Sequence, residues 1–182
     1  MHFQCIVVEF KTMNCWIRHA HSEDLPAIVA IYNASIAGRQ ATADTEPVTV
    51  AARTPWFSDH CPNRRPLLVA EDERGIAGWL SLRSFYGRPA YHATVELGYY
   101  VAPDRQRRGI GRLLLTEAVA RAPGCSIRTL LAFVFAHNAP SVRLLTAFDF
   151  TPWGRLPAVA ELDGREYDVL IMGRRLSLEP PQ

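Results

Sequence analysis

The chain has 182 residues, 48% hydrophobic and 21% charged, the make-up of one globular domain long enough to bury a core. Its 20 basic and 18 acidic residues leave a net charge of +2, too balanced for a general nucleic-acid binder. No apolar stretch approaches the roughly 20 residues of a membrane span, and the opening MHFQCIVVEFKTMNC is too short and interrupted for a signal peptide.

In chain order, CIVVEF within residues 1–15 reads as an added edge strand or an unstructured extension, with Met13 an alternative start. WIRHA (16–20) predicts a short strand whose alternation places His19 and His21 on one face; lacking a third ligand, they read as solvated polar residues rather than a metal site. SEDLPAIVAIYNASIAG predicts a helix with Ser22 as N-cap, Gly38 as stop, and Leu25, Ile28, Val29, Tyr32 and Ile36 as its buried face. After the loop ATADTEPV, TVAARTPWFSDH predicts a second, short helix. LLVAE and IAGWLSL flank DERG as a hairpin, and YHATVELGYYV is a long strand ending before Pro103. GIGRLLLTEAVARA is helical, with Leu113, Leu114, Val119 and Ala120 supplying much of its buried face and Pro-Gly ending it. IRTLLAFVF is apolar throughout, the pattern of a buried central strand, and APSVRLLTAF is a short helix. RLPAVAE and REYDVLIMGRRL close the chain as a hairpin around Asp163-Gly164, a strong turn signal.

The order β-α-α-β-β-β-α-β-α-β-β implies an α/β domain, a mixed sheet with helices on its faces, over residues 16–176, followed by a tail at 177–182. Cys5, Cys15, Cys61 and Cys125 show no CxxC pairing, which favours reduced thiols and a cytoplasmic location.

The chemistry-bearing segment is APDRQRRGIGRLLL (102–115), with Arg105, Arg107, Arg108 and Arg112 around two glycines. It contains no GxxxxGK[ST] phosphate loop, and the dinucleotide pattern GxGxxG fails because Leu114 stands at the third glycine position. What remains is QxxGxG, at Gln106, Gly109 and Gly111, between a strand and a helix. The first amides of a helix lack intrahelical acceptors and carry the positive end of its dipole, so they suit an anion. Glycine removes the Cβ that would hold a pyrophosphate off the backbone, and Arg107, Arg108 and Arg112 add charge at the rim. The same residues also read as a solvated arginine turn whose glycines serve only its geometry.

TVELGYYVAPDRQRRGIGRLLL resembles the central motif of the GCN5-related N-acetyltransferases (GNAT), in which Q/R-x-x-G-x-G/A binds the pyrophosphate of acetyl-CoA. The likeness runs from Ile17 to about Leu176. Within the superfamily, IRHAHSEDLPAIVAIYNASI, TEP (45–47), RTPWFSDH (53–60), RPLLVAE (65–71), GRPAYHATVE (87–96) and NAPS (138–141) resemble the phosphinothricin and methionine sulfoximine acetyltransferases. Members of that subgroup acetylate the α-amine of small amino acids or toxic analogues and are commonly dimers. The resemblance therefore implies the GNAT fold, a mostly antiparallel twisted sheet of about seven strands with about four helices. It further implies acetyl-CoA as cosubstrate with no metal, a small-molecule amine as partner, and a homodimer.

Acetyl transfer requires the ammonium to lose a proton, the amine to meet the thioester carbonyl, and the oxyanion to be stabilised. Glu96 matches the glutamate to which the family gives the base role, and it borders the acceptor; its other reading is a surface strand carboxylate. Tyr99, Tyr100 and Val101 match the segment whose backbone pairs with the pantetheine arm, and Gly98 permits the bulge the family places in this strand. Gln106, Arg107, Arg108, Gly109, Ile110, Gly111 and Arg112 match the pyrophosphate loop. Asn138 and Ser141 match cofactor contacts, although Asn138 reads equally as a helix cap. SVRLLTAFDF departs from the subgroup's SxxLHExxGF, placing Leu145, Thr146 and Asp149 where histidine, glutamate and glycine stand. Leucine cannot protonate a leaving thiolate. For the acceptor's carboxylate, Arg88 is the matching cation, with Tyr86 and Tyr91 lining the same pocket. Trp56 and Phe57 read as core or dimer contacts, and Gly164, Arg165, Glu166, Tyr167 and Asp168 lack the tryptophan of the subgroup's GRWxD. Three other readings stay open: acetylation of a protein N-terminus or polyamine, a non-catalytic acyl-CoA-binding module, and nucleic-acid binding through Arg105 to Arg112. The basic loop YGRPAY disfavours the polyamine, and the balanced charge disfavours nucleic acid.

Overall fold

A computed structural model describes residues 14–176, so what the sequence predicts for CIVVEF, Met13 and the tail at 177–182 lies outside the described residues. The described residues form strands β1 (Cys15–His19), β2 (Leu67–Asp72), β3 (Gly75–Ser84), β4 (Thr94–Val101), β5 (Thr129–Phe135), β6 (Thr151–Leu162) and β7 (Arg165–Arg175). Their α-helices are α1 (Leu25–Ile36), α2 (Val50–Ser58), α3 (Ile110–Arg121) and α4 (Ala139–Thr146). Strands and helices follow the order read from the sequence. The strands make one sheet in the order β1-β2-β3-β4-β5-β7-β6. Every neighbouring pair is antiparallel except β4 and β5.

A core lies on each face of the sheet. On one side α3 and α4 cover Leu68, Leu80, Leu82, Val95 and Leu130, with Leu114, Leu115, Leu145 and Phe150 buried among them. On the other, α1 packs Ile28 and Tyr32 onto Val69 and Trp79, with Trp56 and Phe57 of α2 against them. Trp79 donates its indole N–H to Ile28 O at 3.0 Å, fixing α1 to the sheet. Each such large apolar side chain contributes roughly 1.5–3 kcal/mol on burial.

The five apolar positions predicted for α1 are all buried, but its start is built differently. A 3-10 turn at Ser22–Asp24 precedes the helix; Asp24, not Ser22, stands at the N-cap of α1, and its carboxylate closes the turn by accepting from His21 N at 2.7 Å. The charged Asp24 carboxylate also takes two bonds from Arg18, at 2.6 and 2.9 Å, which a serine hydroxyl could not. β1 ends at His19, so His21 shares no strand face with it, and His19 Nε2 meets Arg121 Nη1 at 2.7 Å. The buried face of α3 is Ile110, Leu114, Leu115 and Ala118; Leu113 and Val119 are half-buried and Ala120 is exposed. The stripe is thus rotated from the predicted one because Ile110 and Leu114 pack against Gly78, where an added Cβ would sit 3.1 Å from Ile110. The β6–β7 turn places Asp163 and Gly164 at φ 52° and 73°, as a tight hairpin requires.

Candidate active site

The parallel β4–β5 pair supplies the site's frame. It holds for three register pairs only, from Thr94–Thr129 to Glu96–Leu131. Beyond them Leu97–Val101 pair with β3 alone, and Ala132–Phe135 with β7 alone. The strands part, and among the described residues the second hydrogen-bonding edge of β4 has no strand partner there. A cavity of about 260 Å³ fills the wedge, with Glu96–Tyr100 on one wall and Ala132–Phe135 on the other. A second cleft of about 630 Å³ continues from Tyr99–Val101 to the start of α3. The two share Gln40, Ala41, Tyr99, Tyr100, Asn138 and Ser141, so one channel runs from the helix terminus to Glu96. The β3–β4 register is unbroken from Val95 to Val101, so the opening comes from the divergence of β5 and not from a bulge against β3 at Gly98.

The glycine-arginine turn lines the wide cleft through Gln106, Arg107, Gly109, Ile110, Gly111 and Arg112, whereas Arg108 stays outside its lining. Arg107 and Gly109 turn the chain through φ 60° and 84°. No side chain caps α3, and its first amide with an acceptor is Leu113 N, bonded to Gly109 O at 2.9 Å. The preceding amides are free to meet an anion. The two glycines serve different ends. Gly109 supplies the left-handed conformation, with open space around it. A Cβ on Gly111 would come 3.0 Å from Leu144, so that glycine lets α4 approach α3. Arg105 is not part of the rim: it is buried and paired with Asp72 and Asp104 at 3.1 and 2.9 Å. Arg107, Arg108 and Arg112 are exposed.

Asn138 is the helix cap, and its side chain makes a second bond. Its Oδ1 accepts from Ser141 N at 3.2 Å, capping α4, and its Nδ2 donates to Gln40 O at 2.9 Å. The second bond ties the segment Gln40–Ala43 across the channel. Tyr100 Oη donates to Ala41 O at 3.2 Å, and Tyr32 Oη meets Thr42 Oγ1 at 2.6 Å from the aromatic cluster around Trp79. Burial pushes the Tyr99 and Tyr100 phenols up from their usual range. The Tyr99 hydroxyl is buried beside Ser141 in the wall shared by both clefts.

At the narrow end Glu96 borders the cavity, and its Oε2 accepts from Arg83 Nη2 at 3.0 Å. Arg88, Tyr86 and Tyr91 are exposed and not among the lining residues of either cleft, and the tyrosines form an aromatic group with Phe85. Leu145 is fully buried in the core beneath α3 and α4. Asp149 stands at φ 59°, so it keeps the left-handed helix ending for which the subgroup pattern has glycine. Asp168 accepts from Ala158 N and pairs with Arg155, which bends β6 and leaves its carboxyl below the usual range.

Sequence reasoning missed Arg83 and Gln40–Ala43. Arg83 stands opposite Glu96 through the β3–β4 register, which the residue pattern alone does not give. The Gln40–Ala43 segment had no local signal, because its place depends on distant tethers.

Three comparisons bear on this architecture. The acetyltransferase (GNAT) family model matches residues 26–150. A Bacillus subtilis protein named "Putative phosphinothricin acetyltransferase YwnH" is 51% identical over 162 residues, 88% of this chain and 99% of that one. The L-methionine sulfoximine/L-methionine sulfone acetyltransferase of Pseudomonas aeruginosa is 32% identical over 92% of this chain and 97% of its own length. Among solved structures, a GNAT superfamily phosphinothricin acetyltransferase from Sinorhizobium meliloti in complex with AcCoA superimposes with a TM-score of 0.85 at 33% identity. That match covers 90% of this chain and 89% of the other.

Proposed function

The chain belongs to the acetyltransferase (GNAT) family, and from that premise we propose that it moves the acetyl group of acetyl-CoA onto the α-amine of a small amino acid or analogue, of the phosphinothricin or methionine sulfoximine type. The observation that carries the proposal is the continuous channel from the bare amides of α3 to the carboxylate of Glu96.

The residues present fit acetyl-CoA. The free amides around Ile110 and Gly111 take the pyrophosphate, with Arg107, Arg108 and Arg112 as a charged rim. The unpaired edge of β4 at Tyr99, Tyr100 and Val101 offers main-chain groups to the amides of the pantetheine arm. Asn138 and Ser141 close the far wall, with the buried Tyr99 phenol beside them. When bound, the thioester supplies an activated acetyl group. Glu96 then takes the proton of the acceptor ammonium, directly or through one water, and leaves a nucleophilic amine in the wedge. A free thiol has a pKa near 8.5, about what a leaving thiolate tolerates with water as its proton source, so Leu145 does not block turnover.

The domain over residues 16–176 acts as one unit and pairs as a homodimer. The exposed apolar side chains of β6, Trp153, Leu156 and Val159, at 48%, 37% and 56%, support that assembly. The reduced thiols of Cys15, Cys61 and Cys125 fit a cytoplasmic setting. Leu145 favours one second reading, a module that binds acyl-CoA without turnover. Free-thiol release from acetyl-CoA, followed across amino acids, methionine sulfoximine, phosphinothricin and polyamines, separates the two. Release with the amino acids and their analogues is expected; silence throughout with CoA binding retained would establish the module instead.

A further inference from the structure

A zwitterionic acceptor needs a cation for its carboxylate, and the lining of the 260 Å³ cavity contains the anionic Glu96 but no arginine, lysine or histidine. Neither Arg83 nor Arg88 is part of that lining, but Arg83 is bonded to it: it stands opposite Glu96 in the antiparallel register of β3 and β4, with Nη2 at 3.0 Å from Glu96 Oε2. We propose that Arg83 binds the α-carboxylate of the acceptor, which enters by exchanging partners with the Arg83–Glu96 ion pair. This inference rests on the amino-acid acetyltransferase reading above.

The exchange follows from charge and distance. An α-amino acid carries its carboxylate and ammonium on one carbon, so it matches a side-by-side cation and anion with the signs reversed. Its carboxylate takes the guanidinium, by two parallel bonds, and its ammonium takes Glu96. The resident pair is 48% and 35% exposed, and such ion pairs hold weakly, so little is lost when both partners are re-paired. Glu96 thereby leaves Arg83 for the group whose proton it must accept. The balance is complete: one proton passes from the ammonium to Glu96, the nitrogen lone pair bonds the acetyl carbon, the carbon–sulfur bond breaks, the second nitrogen proton reaches the departing sulfur through water, and Glu96 returns its proton to solvent. Selection falls on amines with a carboxylate on the same carbon; polyamines and decarboxylated amines lack the partner for Arg83.

The test compares the wild type with Arg83→Gln and Arg83→Lys on methionine sulfoximine and on the amine lacking its α-carboxyl group. A calorimetric titration of the amino acid into CoA-loaded protein runs beside it. For Arg83→Gln a rise of roughly 10–100-fold in KM and Kd for the amino acid is expected, the range of a hydrogen bond to a charged group. Its kcat for the amino acid falls far less than its kcat/KM, turnover of the decarboxylated amine changes far less than that of the amino acid, and Arg83→Lys recovers part of the loss. Equal losses on both acceptors would make Arg83 a positioning residue for Glu96 and overturn the proposal, as would an unchanged Kd for the amino acid. Where the decarboxylated amine is not turned over at all, the titration decides. A wild type that acetylates no amino acid would defeat the underlying reading first, a result visible without any variant.

Discussion

The two ends of the channel are made of different material. At the α3 end the binding groups are main-chain amides, exposed by a left-handed Gly109 and an uncapped helix, and the arginines around them are a solvated rim. At the β4–β5 fork the working groups are side chains, Glu96 and Arg83, facing each other across two strands. Main-chain groups are the same in every sequence, so the first end needs only a turn of a given shape and suits a cosubstrate shared by many enzymes. Side chains differ from chain to chain, so the second end is where acceptor choice resides.

That contrast orders the expected effects of substitution. Glu96→Gln removes the proton acceptor and lowers kcat by roughly 10²–10⁴-fold. The loss is steepest at low pH, where the amine is most protonated, while CoA affinity measured by calorimetry is unchanged. A flat kcat–pH comparison would remove Glu96 as the base. Gly109→Val forces a β-branched residue to φ 84° and distorts the amide cradle, at a cost of about 1–3 kcal/mol, or roughly 10–100-fold in CoA affinity. Asn138→Ala deletes both the α4 cap and the bond to Gln40 O. It lowers stability by about 0.5–2 kcal/mol, read by denaturant unfolding, and it raises the KM for acetyl-CoA as the Gln40–Ala43 segment loosens. Removing a rim arginine does least: Arg108→Ala weakens CoA binding only a few-fold, and the difference fades at high salt. A rim variant that matched Gly109→Val would erase the distinction between the ends.

A fifth expectation concerns the fold rather than the channel. Arg18 beside Asp24 holds that carboxyl below its ordinary value of 3.8. A carboxyl depressed in the folded state stabilises fully above that value and loses its contribution as pH falls through the lower, folded pKa. Asp24→Asn should therefore flatten the acid limb of the stability curve below about pH 4, the ordinary carboxylate range. An acid limb identical to the wild type would remove Asp24 from that role.

The same contrast explains what was legible in the sequence. Element order was readable because apolar spacing reports which face is buried, as in Leu25, Ile28, Val29, Tyr32 and Ile36. The cofactor end was readable because a left-handed turn and a close helix approach demand glycine, and those demands leave a motif. Even there the spacing did not reveal that Gly111 also lies against Leu144, nor that Arg105 is buried in an ion-pair cluster. The acceptor end was less readable. Arg88 carried the family pattern yet lies outside the cavity, while Arg83 became visible only once the β3–β4 register was known. The strap at Gln40–Ala43 is held by Asn138, Tyr100 and Tyr32, contacts between segments far apart in the chain, for which no local pattern exists.

Amide hydrogen exchange on the intact protein, with and without CoA, tests the channel most directly. The account predicts slowing at residues 107–112, whose amides include the uncapped start of α3, and at 99–101 on the open edge of β4, with the segment at 40–43 slowing as its tethers tighten. Slowing confined to other elements, with 107–112 unchanged, would contradict it.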